Sequence, residues 1–195
     1  MTKPDDPCVL KALHAGCPAA CAEVVRTHYE PVYRFLVHLC RDVHRAEDLT
    51  QETFAAAWEK IATFQGRASL ATWLHRIAYR KYIDAQRAEH RDAGGRQRLS
   101  DRPSSQSDPG AALTTADEAE RLYRGLEALN APERTVLVLH YLQGLSYRQM
   151  AAVLDEPTGT VKWRAAEALN RLRVLLGDED PEHACRTTSE PGPHS

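Results

Sequence analysis

Residues 146–176 read SYRQMAAVLDEPTGTVKWRAAEALNRLRVLL, the pattern of two helices joined by a tight turn at residues 155–157. Ser146 is a good N-cap for a short helix that reaches about Leu154, and Thr158 is a good N-cap for a longer helix that reaches about Leu176. Apolar residues recur at intervals of three and four along both helices. The stretch therefore predicts a helix-turn-helix, whose second helix can enter the major groove of duplex DNA.

The start of the second helix carries the candidate DNA contacts. We expect these side chains to be exposed: Thr160, Lys162, Trp163, Arg164 and Glu167. Lys and Arg can reach guanine acceptors or phosphates. A helical bundle with a solvated basic face is the alternative. DNA binding is favoured because the basic residues begin at the N-terminal end of the helix, where recognition helices make their contacts.

Upstream of this motif the helical pattern extends back to about Ala116. Asn130, followed by Glu133 at capping-box spacing, starts a helix that stops before Gly144. Residues 91–115 are rich in Gly, Ser, Asp, Gln, Arg and Pro, which predicts a flexible linker. The acidic stretch after Gly177 predicts a disordered tail.

The region before the linker predicts a second helical block. Helices are expected at about 19–39, 44–62 and 70–89, the last capped by Ser69, and Pro31 is expected to kink or split the first of them. No stretch alternates with period two for long enough to predict a strand. Cysteines stand at positions 8, 17, 21, 40 and 185. Zinc could in principle be bound by His14, Cys17 and Cys21, but their spacing is not that of a standard zinc site. Buried thiols on a helix are therefore favoured over a metal site.

Charge is strongly segregated although the net charge is only −2. Residues 42–60 hold five acids and two bases, whereas residues 67–98 hold eight bases and three acids. The basic segment, interleaved with aromatic residues, suits single-stranded DNA, and a solvated basic helix face is the alternative. We expect Trp73 to lie in the core. For Phe64, a packing role and a binding role are equally open. For the acidic segment a solvated face and a protein-docking face are both open, and hydrolytic chemistry is disfavoured.

Composition excludes several classes of protein. The hydrophobic fraction of 43% and charged fraction of 27% are those of an ordinary globular chain, and no apolar run approaches the roughly 20 residues of a membrane span. The first residues show no secretory signal, so we expect a cytoplasmic protein.

Three stretches, in order, resemble the extracytoplasmic-function (ECF) group of bacterial sigma factors. RAEDLTQETF at 45–54 is similar to the region 2 motif that binds core polymerase. FQGR at 64–67, followed by TWLHRIA at 72–78 and by Asp84, resembles the segment that reads the minus-ten element. GLSY at 144–147 with GTVK at 159–162 resembles region 4, and the likeness spans about residues 10–176.

The resemblance implies an all-α fold of two small helical domains. Region 2 would occupy residues 1–90, the flexible linker 91–115, region 4 116–176, and the disordered acidic tail 177–195. The implied function is a non-enzymatic sigma factor that binds core RNA polymerase and directs promoter-specific transcription initiation. It needs no metal or other cofactor and does not bind membranes. The chain would be nucleoid-associated in the holoenzyme, and whether an anti-sigma factor binds it stays open.

The resemblance also implies a role for each surface. The residues that dock on the clamp helices of the polymerase's largest subunit would be Glu47, Asp48, Gln51 and Glu52. The residues that capture and hold the opened minus-ten strand would be Phe64, Gln65, Gly66, Arg67, Arg76, Arg80, Lys81 and Arg87. The residues at the minus-thirty-five element would be Arg148, Thr158, Thr160, Lys162, Trp163, Arg164 and Glu167.

Several positions depart from the family pattern. Arg80 stands where Asn is frequent, Trp163 where a small residue is frequent, and Asp155 and Glu156 make the turn unusually acidic. These departures bear on the promoter sequence rather than on the role. Two alternatives remain: a helix-turn-helix regulator outside the polymerase holoenzyme, and a zinc or thiol sensor built on His14, Cys17 and Cys21.

Overall fold

Four helices form the described part of the N-terminal block. The computed structural model describes residues 7–93 and 115–176, with side chains from 10–91 and 120–176. The helices are α1 (Pro7–His14), α2 (Pro18–Cys40), α3 (Val43–Lys60) and α4 (Leu70–Ala93). A short 3₁₀ turn, Ile61–Thr63, leads from α3 into the loop before α4. Helices α2, α3 and α4 each pack on the other two.

Local sequence signals set the boundaries of these helices. The Asp42 carboxylate accepts a hydrogen bond from the Arg45 backbone amide at 3.0 Å and caps α3. The Ser69 hydroxyl accepts from the Thr72 amide at 3.1 Å, the capping role predicted for it. Pro31 does not split its helix, because α2 runs through it unbroken. Helix α1 was not predicted, since it is only eight residues long and starts at a proline.

Another four helices make up the described part of the C-terminal block, residues 115–176. They are α5 (Thr115–Ala128), α6 (Ala131–Leu137), α7 (Tyr147–Leu154) and α8 (Thr158–Leu176), and a π-helical turn, Val138–Leu142, extends α6. The predicted capping box forms between Asn130 and Glu133. Helix α7 follows Ser146 as predicted. Helix α8 begins at Thr158 itself, whereas Thr158 was predicted to be the N-cap, which would place the first helical residue one position later.

Helix α8 is the centre of the C-terminal block. Helices α5, α6 and α7 all pack on it. Its buried side is built from Val161, Ala165, Ala168 and Leu172. Gly125 of α5 lies so close that a Cβ there would stand 2.7 Å from Leu172 Cδ1. Leu122 and Tyr123 of α5 remain 41% and 51% exposed.

The two blocks lie against each other. Helix α4 packs along α7, while α2 contacts α6 and the π-helical turn. His38 of α2 stacks on Tyr123 with ring centroids 5.7 Å apart, and the Arg41 side chain donates to the Glu127 carbonyl. The described residues confirm an all-α fold of two helical blocks. The predicted linker and acidic tail fall largely outside the described residues.

Candidate functional site

An acidic patch covers one side of α3. Glu47, Asp48, Gln51 and Glu52 are all exposed there, and this set is the acidic α3 face. The opposite side is buried, and the hydroxyls of Thr50 and Thr53 donate to carbonyls one turn back, at 2.6 Å each. The two buried threonine hydroxyls are therefore hydrogen-bonded within the helix, and the carboxylates face solvent. Such a face suits a basic protein partner.

The loop at residues 64–67 divides into a buried and an exposed part. Phe64 is only 9% exposed and packs on Trp73 with ring centroids 4.8 Å apart, so its side chain takes the packing role. Gln65, Gly66 and Arg67 are exposed. Gly66 has a φ of +67°, a conformation that L side chains rarely adopt. The loop thus presents a polar tip above an aromatic anchor.

Helix α1 supports this loop from behind. His14 Nε2 lies 3.0 Å from the Phe64 carbonyl oxygen, and a Cβ at Gly66 would stand 3.3 Å from Leu10 Cδ2. His14 is therefore engaged with the loop. Among the described residues no group of three His, Cys, Asp or Glu side chains is placed to hold a metal ion.

Four basic side chains of α4 are engaged by carboxylates. The set Arg76, Arg80, Lys81 and Arg87 is the basic α4 face. Arg76 and Arg80 both reach Asp155 of the C-terminal block, at 3.0 and 3.3 Å. Lys81 reaches Glu52 of the acidic α3 face at 3.0 Å, and Arg87 lies 3.7 Å from Asp84. The predicted polymerase and minus-ten surfaces are thus neighbours, joined by the Glu52–Lys81 pair.

The exposed side of α8 forms the recognition face. Its members are Thr158, Thr160, Lys162, Trp163, Arg164 and Glu167. Trp163 is 67% exposed, and Lys162 Nζ lies 6.0 Å above the Tyr147 ring centroid. Arg164 is less accessible, since it pairs with Glu156 at 2.7 Å. Arg148 of α7 is exposed beside this face.

The sequence did not predict that His75, Arg134 and Asp155 lie at the junction of the blocks. His75 is 3% exposed, with Nδ1 2.8 Å from the Ala71 carbonyl oxygen and Nε2 3.3 Å from Gln143 Oε1. Burial lowers the pKa of His75. Arg134 is buried at the same junction, and Asp155 bridges Arg76 and Arg80. The acidity of the 155–156 turn was the only signal in the sequence for this contact.

Burial makes the Cys40 thiol unreactive. It raises the pKa of Cys40 to about 11, so this cysteine is protonated at neutral pH and is a poor nucleophile. Cys17 and Cys21 are half-buried free thiols. No helix in the described ranges 7–93 and 115–176 has the length and apolarity needed to cross a bilayer.

Comparison with known families divides the chain in the same way. Residues 24–92 match the family described as Sigma-70 region 2, and residues 119–172 match Sigma-70, region 4.

Curated relatives extend this match to most of the chain. The chain is 33% identical to ECF RNA polymerase sigma factor SigC of Mycobacterium tuberculosis, over 81% of this chain and 82% of that protein. It is 32% identical to ECF RNA polymerase sigma factor RpoE of Cereibacter sphaeroides, over 80% and 85% of the two chains.

Solved structures share the fold. The sigma factor RpoE in complex with the anti-sigma factor NepR from Bartonella quintana superposes with a TM-score of 0.70 at 24% identity. The alignment covers 81% of this chain and 97% of that one. CnrH in complex with the cytosolic domain of CnrY gives a TM-score of 0.66 at 23% identity, over 90% and 99% of the two chains.

Proposed function

The chain belongs to the ECF group of the sigma-70 family, and on that premise we propose a division of labour among its charged surfaces. As a sigma factor it binds core RNA polymerase and directs promoter-specific transcription initiation. A helix-turn-helix regulator outside the holoenzyme is not supported, since region 2 and region 4 are both present. The chain contributes no catalytic activity of its own to transcription.

The acidic α3 face docks on polymerase. The observation that supports this assignment is the joint exposure of its four polar side chains on one side of a helix whose other side is core. In the sigma family this motif faces the clamp helices of the polymerase's largest subunit. A carboxylate surface is attracted to a basic partner and speeds its association.

Promoter DNA contacts the remaining surfaces. The exposed tip of loop 64–67, Gln65 to Arg67, receives an unpaired minus-ten base, and the basic α4 face holds the opened strand. The recognition face of α8 reads the minus-thirty-five element as duplex.

Region 2 comprises residues 1–90 and region 4 residues 116–176, with 91–115 as the linker between them and 177–195 as a tail.

Two further assignments follow from membership of the family. The chain acts in the cytoplasm and joins the nucleoid when it is part of the holoenzyme. An anti-sigma factor binds and inhibits it, by analogy with the complexes that RpoE of B. quintana and CnrH form with their partners. Co-purification with the full chain from a native lysate tests whether an anti-sigma factor binds it. A 1–90 fragment serves for comparison.

Asp48→Lys tests the docking surface. We expect it to weaken binding to core polymerase at least about tenfold, because a carboxylate that meets a basic surface becomes a repelling cation. The cost in folding stability should stay within about 0.5 kcal/mol, since the side chain is exposed. Titration of fluorescently labelled full chain with core polymerase measures the affinity.

Glu30→Lys is the matched control. Glu30 is exposed on α2 and pairs only locally with Arg34 at 3.4 Å, so the same change of charge there should leave polymerase affinity unaltered. Equal affinities for Asp48→Lys and the wild-type chain would reject the docking assignment.

A further inference from the structure

Trp163 points from α8 directly away from the block that anchors the helix. Each residue of an α-helix turns about 100° around the axis, so Trp163 lies about 200° from both Val161 and Ala165. Those two side chains are buried in the block. Trp163 is 67% exposed, the highest fraction among the large apolar side chains of the described residues. Whatever the recognition face docks on therefore meets the indole ring at its centre.

Small residues flank Trp163 on its own side of the helix. Gly159 lies one turn before it and Ala166 one turn after it, and both are exposed. A Cβ added at Gly159 would point into open space within the described part of the chain. The indole therefore projects beyond its neighbours along this side, where a flat partner surface would contact it.

The two cations next to Trp163 are turned back toward their own block. Arg164 pairs with Glu156 at 2.7 Å, and its side chain is only 21% exposed. Lys162 Nζ lies 6.0 Å from the centre of the Tyr147 ring. Both cations need a change of rotamer to point straight outward, whereas Trp163 already does so. The central side chain of the recognition face is thus apolar.

An apolar side chain at this position limits what can be read on duplex DNA. The base edges in the major groove carry hydrogen-bond donors and acceptors, and their one apolar group is the 5-methyl group of thymine. Contact between an aromatic ring and this methyl removes apolar surface of both from water, which is favourable. The same ring pressed on a base donor or acceptor leaves that polar group unpaired, which costs free energy.

We propose that Trp163 is a specificity-determining residue, which reads thymine through its 5-methyl group at one position of the minus-thirty-five element. The inference deepens the proposed function and rests on it, since the recognition face of α8 must dock on duplex DNA. Discrimination at that position is apolar. It is separate from the hydrogen bonds that Lys162 and Arg164 can make to neighbouring bases.

Replacement of thymine by deoxyuridine tests the proposal, because deoxyuridine lacks only the 5-methyl group. Each thymine of the minus-thirty-five element, on either strand, is replaced in turn on a promoter that the holoenzyme transcribes. Promoter affinity is measured for holoenzymes that contain the wild-type chain, Trp163→Ala or Tyr141→Ala. Tyr141 is the matched control, an aromatic side chain that is 60% exposed in the same block but lies on the π-helical turn.

We expect one thymine at which loss of the methyl group weakens wild-type binding about fourfold, the value for one buried methyl-sized group. Tyr141→Ala should keep this ratio of affinities, and Trp163→Ala should lose it. The ratio should not change with salt, because the contact releases no counterion. With cytosine at the same position, 5-methylcytosine should restore part of the affinity of the wild type and none of that of Trp163→Ala.

Two results would overturn the proposal. One is an equal response to deoxyuridine in wild type and Trp163→Ala, or no response at any thymine. The other is a uniform loss of affinity in Trp163→Ala without a methyl effect, which would place the ring against the DNA backbone. Because Trp163 is exposed, Trp163→Ala should fold as wild type does, and its circular dichroism spectrum verifies this.

Failure of the proposed function would look different. The wild-type holoenzyme would then ignore every base-pair substitution in the minus-thirty-five element, and not only the loss of a methyl group. A wild type that responds to base-pair substitutions but to no deoxyuridine would keep the recognition face on this element and reject the role of Trp163.

Discussion

His75 links the protonation state of one side chain to the contact between the blocks. Its ring is buried against Phe35, with centroids 5.3 Å apart, and its two nitrogens face the Ala71 carbonyl and Gln143. Burial lowers the pKa of His75 below its ordinary value, although both hydrogen bonds oppose the shift. The folded chain therefore holds this imidazole neutral at pH values where the unfolded chain takes up a proton.

Folding stability should consequently fall as the pH drops below about 6.5, the ordinary pKa of histidine. The stabilising contribution is complete above that pH and is lost on the way down to the lowered pKa of the folded state. For one proton the slope is at most about 1.4 kcal/mol per pH unit. Urea unfolding between pH 5.5 and 7.5 measures it, and His75→Gln should flatten the curve.

His44→Gln is the control for this prediction, because the His44 side chain is 94% exposed. Its removal should leave the slope as in wild type. His38, whose pKa is lowered by burial and by Arg34, contributes a second component that persists in His75→Gln. An identical slope in wild type and His75→Gln would contradict the role given to His75.

At the scale of elements, α8 combines an anchored side with a side open to DNA. Val161 and Ala165 fix the rotation of the helix in the block, which leaves Thr160, Lys162 and Trp163 outward. Arg164 must leave Glu156 before it can reach a base. Arg148 lies on the preceding helix, where contacts to the DNA backbone are typical of this motif.

Alanine variants should separate base contacts from phosphate contacts in the assembled holoenzyme. Arg148→Ala should weaken binding to all promoters alike and lower the salt slope by about one, as expected for one lost phosphate contact. Arg164→Ala or Lys162→Ala should flatten preference at one or two upstream positions, where a bidentate base contact is worth about 1–3 kcal/mol.

A panel of single-base promoter variants, with a constant minus-ten element and two salt concentrations, measures both effects. If Arg164→Ala and Lys162→Ala scale every variant equally, neither side chain reads sequence. Specificity would then come from Trp163, from DNA shape or from region 2.

The helices were predictable because their signals are local. Ser69, Asn130 and Ser146 cap helices where the sequence placed them, and the buried sides of α4 and α8 follow the apolar spacing. The exposure of Leu122 was not predictable, since apolar spacing does not show how far α5 extends past the helices it packs on. Contacts between blocks, such as Asp155 with Arg80, join residues 75 positions apart and leave no periodic trace.

At the scale of the whole molecule, the segment between the blocks limits how far they can separate. Helix α4 ends at Ala93 and α5 begins at Thr115, so residues 94–114 connect them. At about 3.3–3.6 Å per residue this connection can reach at most about 75 Å.

Deleting residues 99–108 should therefore uncouple the two elements. It shortens the maximal reach by about 35 Å, so the holoenzyme should retain core binding and minus-ten protection but lose protection of the minus-thirty-five element. Footprinting of both elements on one promoter measures this. Replacing the same residues by an equally long Gly/Ser segment preserves the reach and should preserve both footprints. Loss of the minus-thirty-five footprint in the Gly/Ser control would show that the composition of the segment matters rather than its length. Two intact footprints after the deletion would show that the length of the segment does not limit promoter recognition.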